Sequence, residues 1–270
     1  LGHALASLHA DDAVISTKVG RLIVPTALGE PEPDDGFAVS GRRATFDYSR
    51  GGVIRSFESS LRRLRRGSVD ILLLHDVGRE KHGDRHEEML KRALDEALPA
   101  MAQLRASGAC RAIGIGVNEP QVCLEVMTRF DLDCILLAGR YTLLEQQSAA
   151  VVLAEAARRG VGVLIGGPFN SGLLAQPEAP GATYDYRRAD ESTLRRARDI
   201  YAVCAAEGVD VGAAALQFPL AHSAVVSVIA GMRTPAEVAS AIARSRAPVP
   251  ASLWHKLREG GLLSLGAPTP

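Results

Sequence analysis

Cysteine is scarce here: Cys110, Cys123, Cys134 and Cys204 are the only four in 270 residues, and none forms a C-x-x-C pair. Zinc ribbons and disulfide frameworks need clustered or regularly spaced cysteines, so these four read as buried free thiols. Charge of one sign is lacking too. Lys+Arg and Asp+Glu balance at 31 each, which leaves no global field to attract nucleic acid or an anionic membrane surface. Apolar runs of about 6 to 9 residues fall short of the roughly 20 needed to span a bilayer. The chain is therefore expected to be soluble and cytoplasmic, with neither nucleic acid nor membrane as a partner. A Rossmann G-x-G-x-x-G is also missing.

What the chain does have is an alternation of strand and helix patterns. Strand candidates lie at about 13–18, 70–75, 112–117, 133–138, 161–166 and 225–230, and helical apolar periodicity fills most gaps between them, at 51–66, 87–107, 119–129, 146–159, 190–207 and 235–245. This order predicts a parallel sheet with crossover helices. Gly67, Gly108, Gly160 and Gly208 follow Arg-rich or amphipathic helix ends and suit the left-handed residue that closes a last turn. Two segments, 19–50 and 167–189, are Pro-, Gly- and Asp-rich and too long for tight connections. Both follow strand ends and read as substrate or lid loops.

Leu1, Ala4, Leu5 and Leu8 make a helical stripe at the start of the chain. A helix of that kind normally follows a strand, and six strands with open apolar edges are two short of a closed barrel. The expected fold is a single α/β domain over 1–270, a (β/α)8 barrel whose first two strands and first helix would lie upstream of Leu1.

Two strand ends carry the chemistry. Val14-Ile15-Ser16-Thr17-Lys18 and Asp70-Ile71-Leu72-Leu73-Leu74-His75 are apolar runs ending in a cation and an imidazole. The C-terminal ends of parallel barrel strands hold the reacting groups, so Lys18 and His75 are the candidate catalytic residues. Continued alternation would turn Asp76 away from the face used by His75, and it reads as a loop carboxylate. His82, Asp84, His86, Glu87 and Glu88 form a polar helix entry without the rigid shell a metal site needs, and no metal is expected. Tyr48 lies on the long loop after Lys18, a poor mount for a precise proton donor.

With Ser16-Thr17-Lys18, Leu72-Leu73-Leu74-His75, Gly114-Ile115-Gly116-Val117-Asn118 and Val228-Ile229-Ala230-Gly231-Met232-Arg233-Thr234-Pro235 in this order, the chain resembles the aldo-keto reductase family. Phe46-Asp47-Tyr48-Ser49, Leu136 to Gln146 and Gly166-Gly167-Pro168-Phe169-Asn170-Ser171-Gly172 are similar to the branch containing aldose 1-dehydrogenases, L-galactose dehydrogenase and pyridoxal 4-dehydrogenase. The resemblance implies hydride transfer between a nicotinamide cofactor and the C1 hydroxyl or carbonyl of an aldose, or a small aldehyde. It implies that Lys18 is the lysine that lowers the pKa of the family's tyrosine and that His75 orients the substrate oxygen. The tyrosine and the aspartate that pairs with the lysine would lie upstream of Leu1, which leaves activity of this chain in doubt. The alternative is a non-catalytic, nucleotide-responsive binding or scaffold protein.

By the same resemblance Asn118 would hold the nicotinamide carboxamide, a position that asparagine also suits as a helix N-cap. Gly166 falls near a ring-stacking position, and Gly167, Ser171 and Gly172 belong to the loop over the pyrophosphate. Gly231, Met232, Arg233 and Thr234 match the turn at the adenosine end. Arg233 has the planar fork to read a 2′-phosphate, whereas Glu237 favours a free 2′-hydroxyl. The cofactor is expected to be NAD or NADP, and Glu237 tips the balance to NAD.

Overall fold

A computed structural model describes residues 1–10, 12–26, 41–175, 183–184 and 187–270. Residues 11, 27–40, 176–182 and 185–186, which include much of the two long connections, lie outside the described residues.

The chain divides into two compact units, the first comprising 1–117 and 125–135, the second 118–124 and 136–270. In the first, helix α1 (Gly2–Ser7) precedes strand β1 (Ser16–Val19), strands β2 (Arg21–Pro25) and β3 (Arg42–Phe46), helix α2 (Arg50–Leu64) and strand β4 (Val69–His75). Helices α3 (Arg79–His82), α4 (His86–Arg92) and α5 (Leu98–Ala106) lead to strand β5 (Cys110–Val117). Helix α6 (Pro120–Met127) and strand β6 (Cys134–Ala138) carry the chain into the second unit. There follow α7 (Ala150–Arg159), β7 (Gly162–Gly166), the short strands β8 (Thr183–Tyr184) and β9 (Arg187–Arg188), and α8 (Glu191–Ala206). The chain ends with α9 (Val211–Gln217), β10 (Val225–Ile229), α10 (Pro235–Arg246) and α11 (Ala251–Glu259).

Six of these strands form a parallel sheet, in the order β1-β4-β5-β6 in the first unit and β6-β7-β10 in the second. Burial on both faces explains the unbroken apolar runs: Leu72, Leu73 and Leu74 of β4 and Ile113 and Ile115 of β5 are all removed from solvent. The register sets Lys18 beside Leu73 and His75 beside Gly116. Glycine is required on β5, because any Cβ at Gly114 would fall 1.9 Å from the Cys134 carbonyl oxygen. In the second unit Val163, Ile165, Ile200, Phe218, Leu253 and Trp254 form the buried centre.

Helix starts are chemically marked. Ser49 Oγ accepts from the Gly52 N–H (3.0 Å) and caps α2, while Asp47 accepts from the Ser49 N–H (3.0 Å) and hydroxyl. Asp190, Asp210 and Thr234 cap α8, α9 and α10 in the same way. Gly108, Gly160 and Gly208 close helices with positive φ as expected, but α2 is closed by Arg65 (φ 54) rather than by Gly67.

Three features differ from the sequence reading. The segment after Lys18 contains the antiparallel pair β2–β3, registered from Arg21 opposite Phe46 to Pro25 opposite Arg42. The helix expected over 87–107 contains Pro99, which has no N–H and crowds the carbonyl four residues back. It widens into a π turn over Ala93–Ala97 between α4 and α5. Three further helices, α3, α9 and α11, lie where no helix was assigned.

Candidate active site

In the first unit, Lys18 and His75 stand at the C-terminal ends of neighbouring parallel strands, as the sequence implied. The Lys18 stem crosses Gly116, where an added Cβ would lie 2.9 Å from Lys18 Cε. The glycine on β5 thus makes room for the lysine. Burial lowers the pKa of Lys18 from its ordinary value, and the charge of Asp76 partly restores it. Burial also pushes His75 down to about 4, assisted by the positive charges of Lys18 and Arg21 and opposed by Asp76. At neutral pH His75 is therefore an uncharged imidazole, able to donate one N–H and accept one.

Asp76 corrects the alternation argument. Its backbone is left-handed (φ 50), so the two-residue alternation of β4 ends at His75. Aspartate tolerates this conformation better than most residues. The Asp76 carboxylate faces His75, with Oδ2 at 3.4 Å from Nε2, and stands 3.8 Å from Nη1 of Arg21. Arg21 comes from β2, its guanidinium 5.5 Å from the centre of the Phe46 ring.

Tyr48 is fully buried, and its hydroxyl donates to the His75 carbonyl (2.7 Å), with the Asp76 carbonyl at 2.9 Å. His82 Nε2 lies 2.9 Å from the same hydroxyl and 3.0 Å from the Asp76 carbonyl. A carbonyl can only accept, so the His82 proton belongs on Nε2. Burial raises the Tyr48 pKa, and the phenol is committed to pinning the backbone at 75–76. It is held more firmly than a loop tyrosine would be, but in a structural role. The polar helix entry disperses: His82 serves Tyr48, and the buried His86 faces Glu125 (3.7 Å).

The second unit holds the remaining sequence candidates. Gly166 ends β7, and the turns after it run through Gly167 (φ 62), Asn170 (φ 45), Ser171 (φ 58) and Gly172 (φ 98). Two non-glycine residues in succession with positive φ are uncommon, and such strain concentrates at functional sites. Asn170 Nδ2 donates to the Gly139 carbonyl (3.3 Å), while its Oδ1 is buried without a partner. Side chains at Gly167 or Gly172 would meet almost nothing, which leaves the loop backbone open to close approach. At the far turn, Gly231, Met232 and Arg233 are exposed and Thr234 caps α10. Glu237 accepts from the Arg233 backbone N–H (2.5 Å) and from its guanidinium (3.1 Å). Asn118, half-buried, lies two residues before α6.

Residues 1–259 match the aldo/keto reductase family. The chain is 40% identical to a pyridoxal 4-dehydrogenase of Microbacterium luteolum, covering 93% of this chain and 77% of that protein. It is 37% identical to a D-threo-aldose 1-dehydrogenase of a Pseudomonas species, covering 100% and 80%. Its fold is similar to that of an aldo-keto reductase from Bacillus halodurans in its holo form, with a TM-score of 0.72 at 23% identity over 99% of this chain and 78% of that one. The architecture is that of an oxidoreductase built on the (β/α)8 plan. The chain belongs to the aldo/keto reductase family.

Among the described residues, no helix is long and apolar enough to cross a membrane. Sequence reasoning placed Lys18 and His75 at strand ends, where the structure also has them, but gave no place at this corner to Asp76 or Arg21. Arg21 left a signal, a guanidinium three residues after Lys18 at the opening of a second apolar run.

Proposed function

We propose that the protein is a nicotinamide-dependent dehydrogenase that oxidises the C1 hydroxyl of a cyclic aldose, or a similar cyclic hemiacetal, to a lactone. The observation that carries this reading is the pairing of Lys18 and His75 at adjacent strand ends in a chain similar to proteins named pyridoxal 4-dehydrogenase and D-threo-aldose 1-dehydrogenase. In such a reaction C1 loses a hydride to the nicotinamide as O1 releases a proton to solvent, and the C1–O1 bond becomes a carbonyl.

The residues of the second unit fit a dinucleotide: an open glycine backbone at 167 and 172 and the orphaned Oδ1 of Asn170. Gly166, Gly167, Ser171 and Gly172 would line its pyrophosphate, Asn118 its carboxamide, and Gly231 to Thr234 its adenosine end. When bound, the nicotinamide supplies the hydride acceptor. His75, uncharged, offers an N–H to O1 and orients it. Lys18, a cation in a partly dry corner, favours the anionic form of any oxygen that gives up a proton beside it. NAD fits better than NADP, because Glu237 engages the guanidinium that would otherwise meet a 2′-phosphate.

The test is turnover by the purified protein, followed by the absorbance of reduced nicotinamide, with L-fucose, D-arabinose and pyridoxal as substrates. Reduction of NAD with release of a lactone is the expected result. Tight binding of NAD(P)H without turnover of any of them would overturn it in favour of a nucleotide-responsive binding protein.

A further inference from the structure

At the Lys18–His75 corner the sequence reading assigned Asp76 no part, and three observations give it one. Its backbone adopts a left-handed conformation that few residue types tolerate, and this conformation turns the carboxylate back towards His75. The conformation is held from both sides: the Asp76 N–H donates to the Gly116 carbonyl (3.0 Å), and its own carbonyl receives the His82 ring N–H (3.0 Å). The carboxylate side chain is largely buried, 16% exposed, in a corner where cations predominate. The charges that bear on His75 are Asp76 on one side and Lys18, Arg21 and Lys81 on the other. Tyr48 and His82 also pack at this point, and both are neutral at pH 7.

We propose that Asp76 is a positioning residue that keeps the His75 proton on Nε2. The proposal rests on the reading of Lys18 and His75 as the reacting corner. A neutral imidazole can carry its proton on either nitrogen, and an anion beside one nitrogen selects the tautomer protonated there. At 3.4 Å the contact is longer than an ordinary N–H···O bond. The Nε2–H is therefore selected without being consumed, and can turn to a substrate oxygen. The same carboxylate opposes the effect of burial on Lys18, so removing its charge lets the ammonium lose its proton at lower pH.

Asp76→Asn is the informative variant, because asparagine has the same shape and accepts the left-handed backbone; Asp76→Gly is the second variant should the first misfold. Two NMR readouts are independent of activity: the ring ¹⁵N shifts of His75, which report the tautomer, and the ¹³Cε titration of Lys18. The wild-type protein is expected to show the Nε2–H tautomer alone. Both variants should show mixed tautomers and a Lys18 midpoint at lower pH. The alkaline limb of NAD-linked aldose oxidation should move to lower pH by the same interval, with kcat reduced about tenfold and KM little changed. Titrations that superimpose on wild type in both variants overturn the coupling. Titrations that move while turnover keeps its pH profile overturn instead the assignment of this corner as the reacting centre, and with it the catalytic meaning of Asp76.

Discussion

Lys18 and Gly116 are complementary: the lysine stem lies where a side chain at 116 would be, 2.9 Å from the place a Cβ would occupy. Gly116→Ala is therefore expected to push the ammonium out of position rather than to unfold the sheet. A displacement near 1 Å at a reacting group lowers rate by about 10²-fold. Steady-state kinetics should show this loss in kcat, and the far-ultraviolet circular dichroism should match wild type.

Tyr48 holds the 75–76 backbone by its hydroxyl. Tyr48→Phe removes the donor and leaves two carbonyls less well paired, which should destabilise the fold by about 1–3 kcal/mol in urea unfolding. Because the phenol is raised in pKa by burial and is not exchanging a proton with substrate, the variant should keep both limbs of its pH–rate profile. Disappearance of one limb would contradict the structural role.

His75 makes stability depend on pH with a definite sign. Its pKa is about 4 in the folded chain, below the ordinary value of 6.5. The unfolded chain therefore binds more protons below pH 6.5, and the contribution of a neutral His75 is complete above that value and lost as pH falls towards 4. His82 and His222, both lowered by burial, act in the same direction. Thermal unfolding between pH 4 and 7 should rise more steeply with pH for the wild type than for His75→Gln.

Glu237 caps the turn before α10 and pairs with Arg233 on the surface. Glu237→Gln keeps the shape of the contact but frees the positive charge. The ratio of kcat/KM for NADP to that for NAD is expected to rise by about tenfold, within reach of one charge-assisted hydrogen bond. An unchanged ratio would mean that this turn does not read the ribose.

Most of the sheet was legible because its strands are buried on both faces and its helices have polar outer faces, two patterns that leave a mark on composition residue by residue. Lys18 and His75 stood out for the same reason, as polar residues closing apolar runs. Asp76 did not, because alternation was carried one residue past the end of the strand, and a left-handed φ has no signature in a residue as common as aspartate. Helix α9 was missed because Val211 to Leu216 are all buried; with no polar face there is no 3.6-residue period to detect. The β2–β3 pair was missed because neither strand contains a buried residue, so no buried face marks the pairing, and a long connection rather than a hairpin turn joins the two.

The π turn at 93–97 gives one sequence spacing a geometric meaning. Met89, Ala93, Ala97 and Met101 are all buried at intervals of four residues. On a regular helix, at about 100° per residue, each such step overshoots a full turn by about 40°, and three steps would carry the row about 120° around the axis. A turn closed by i→i+5 bonds rotates less per residue and takes back part of that drift. The wide turn thus works as a phase correction, keeping α4 and α5 facing the same layer of strands. Closing it to ordinary α-helical pitch with every residue kept would leave the second half of the helix rotated off the core.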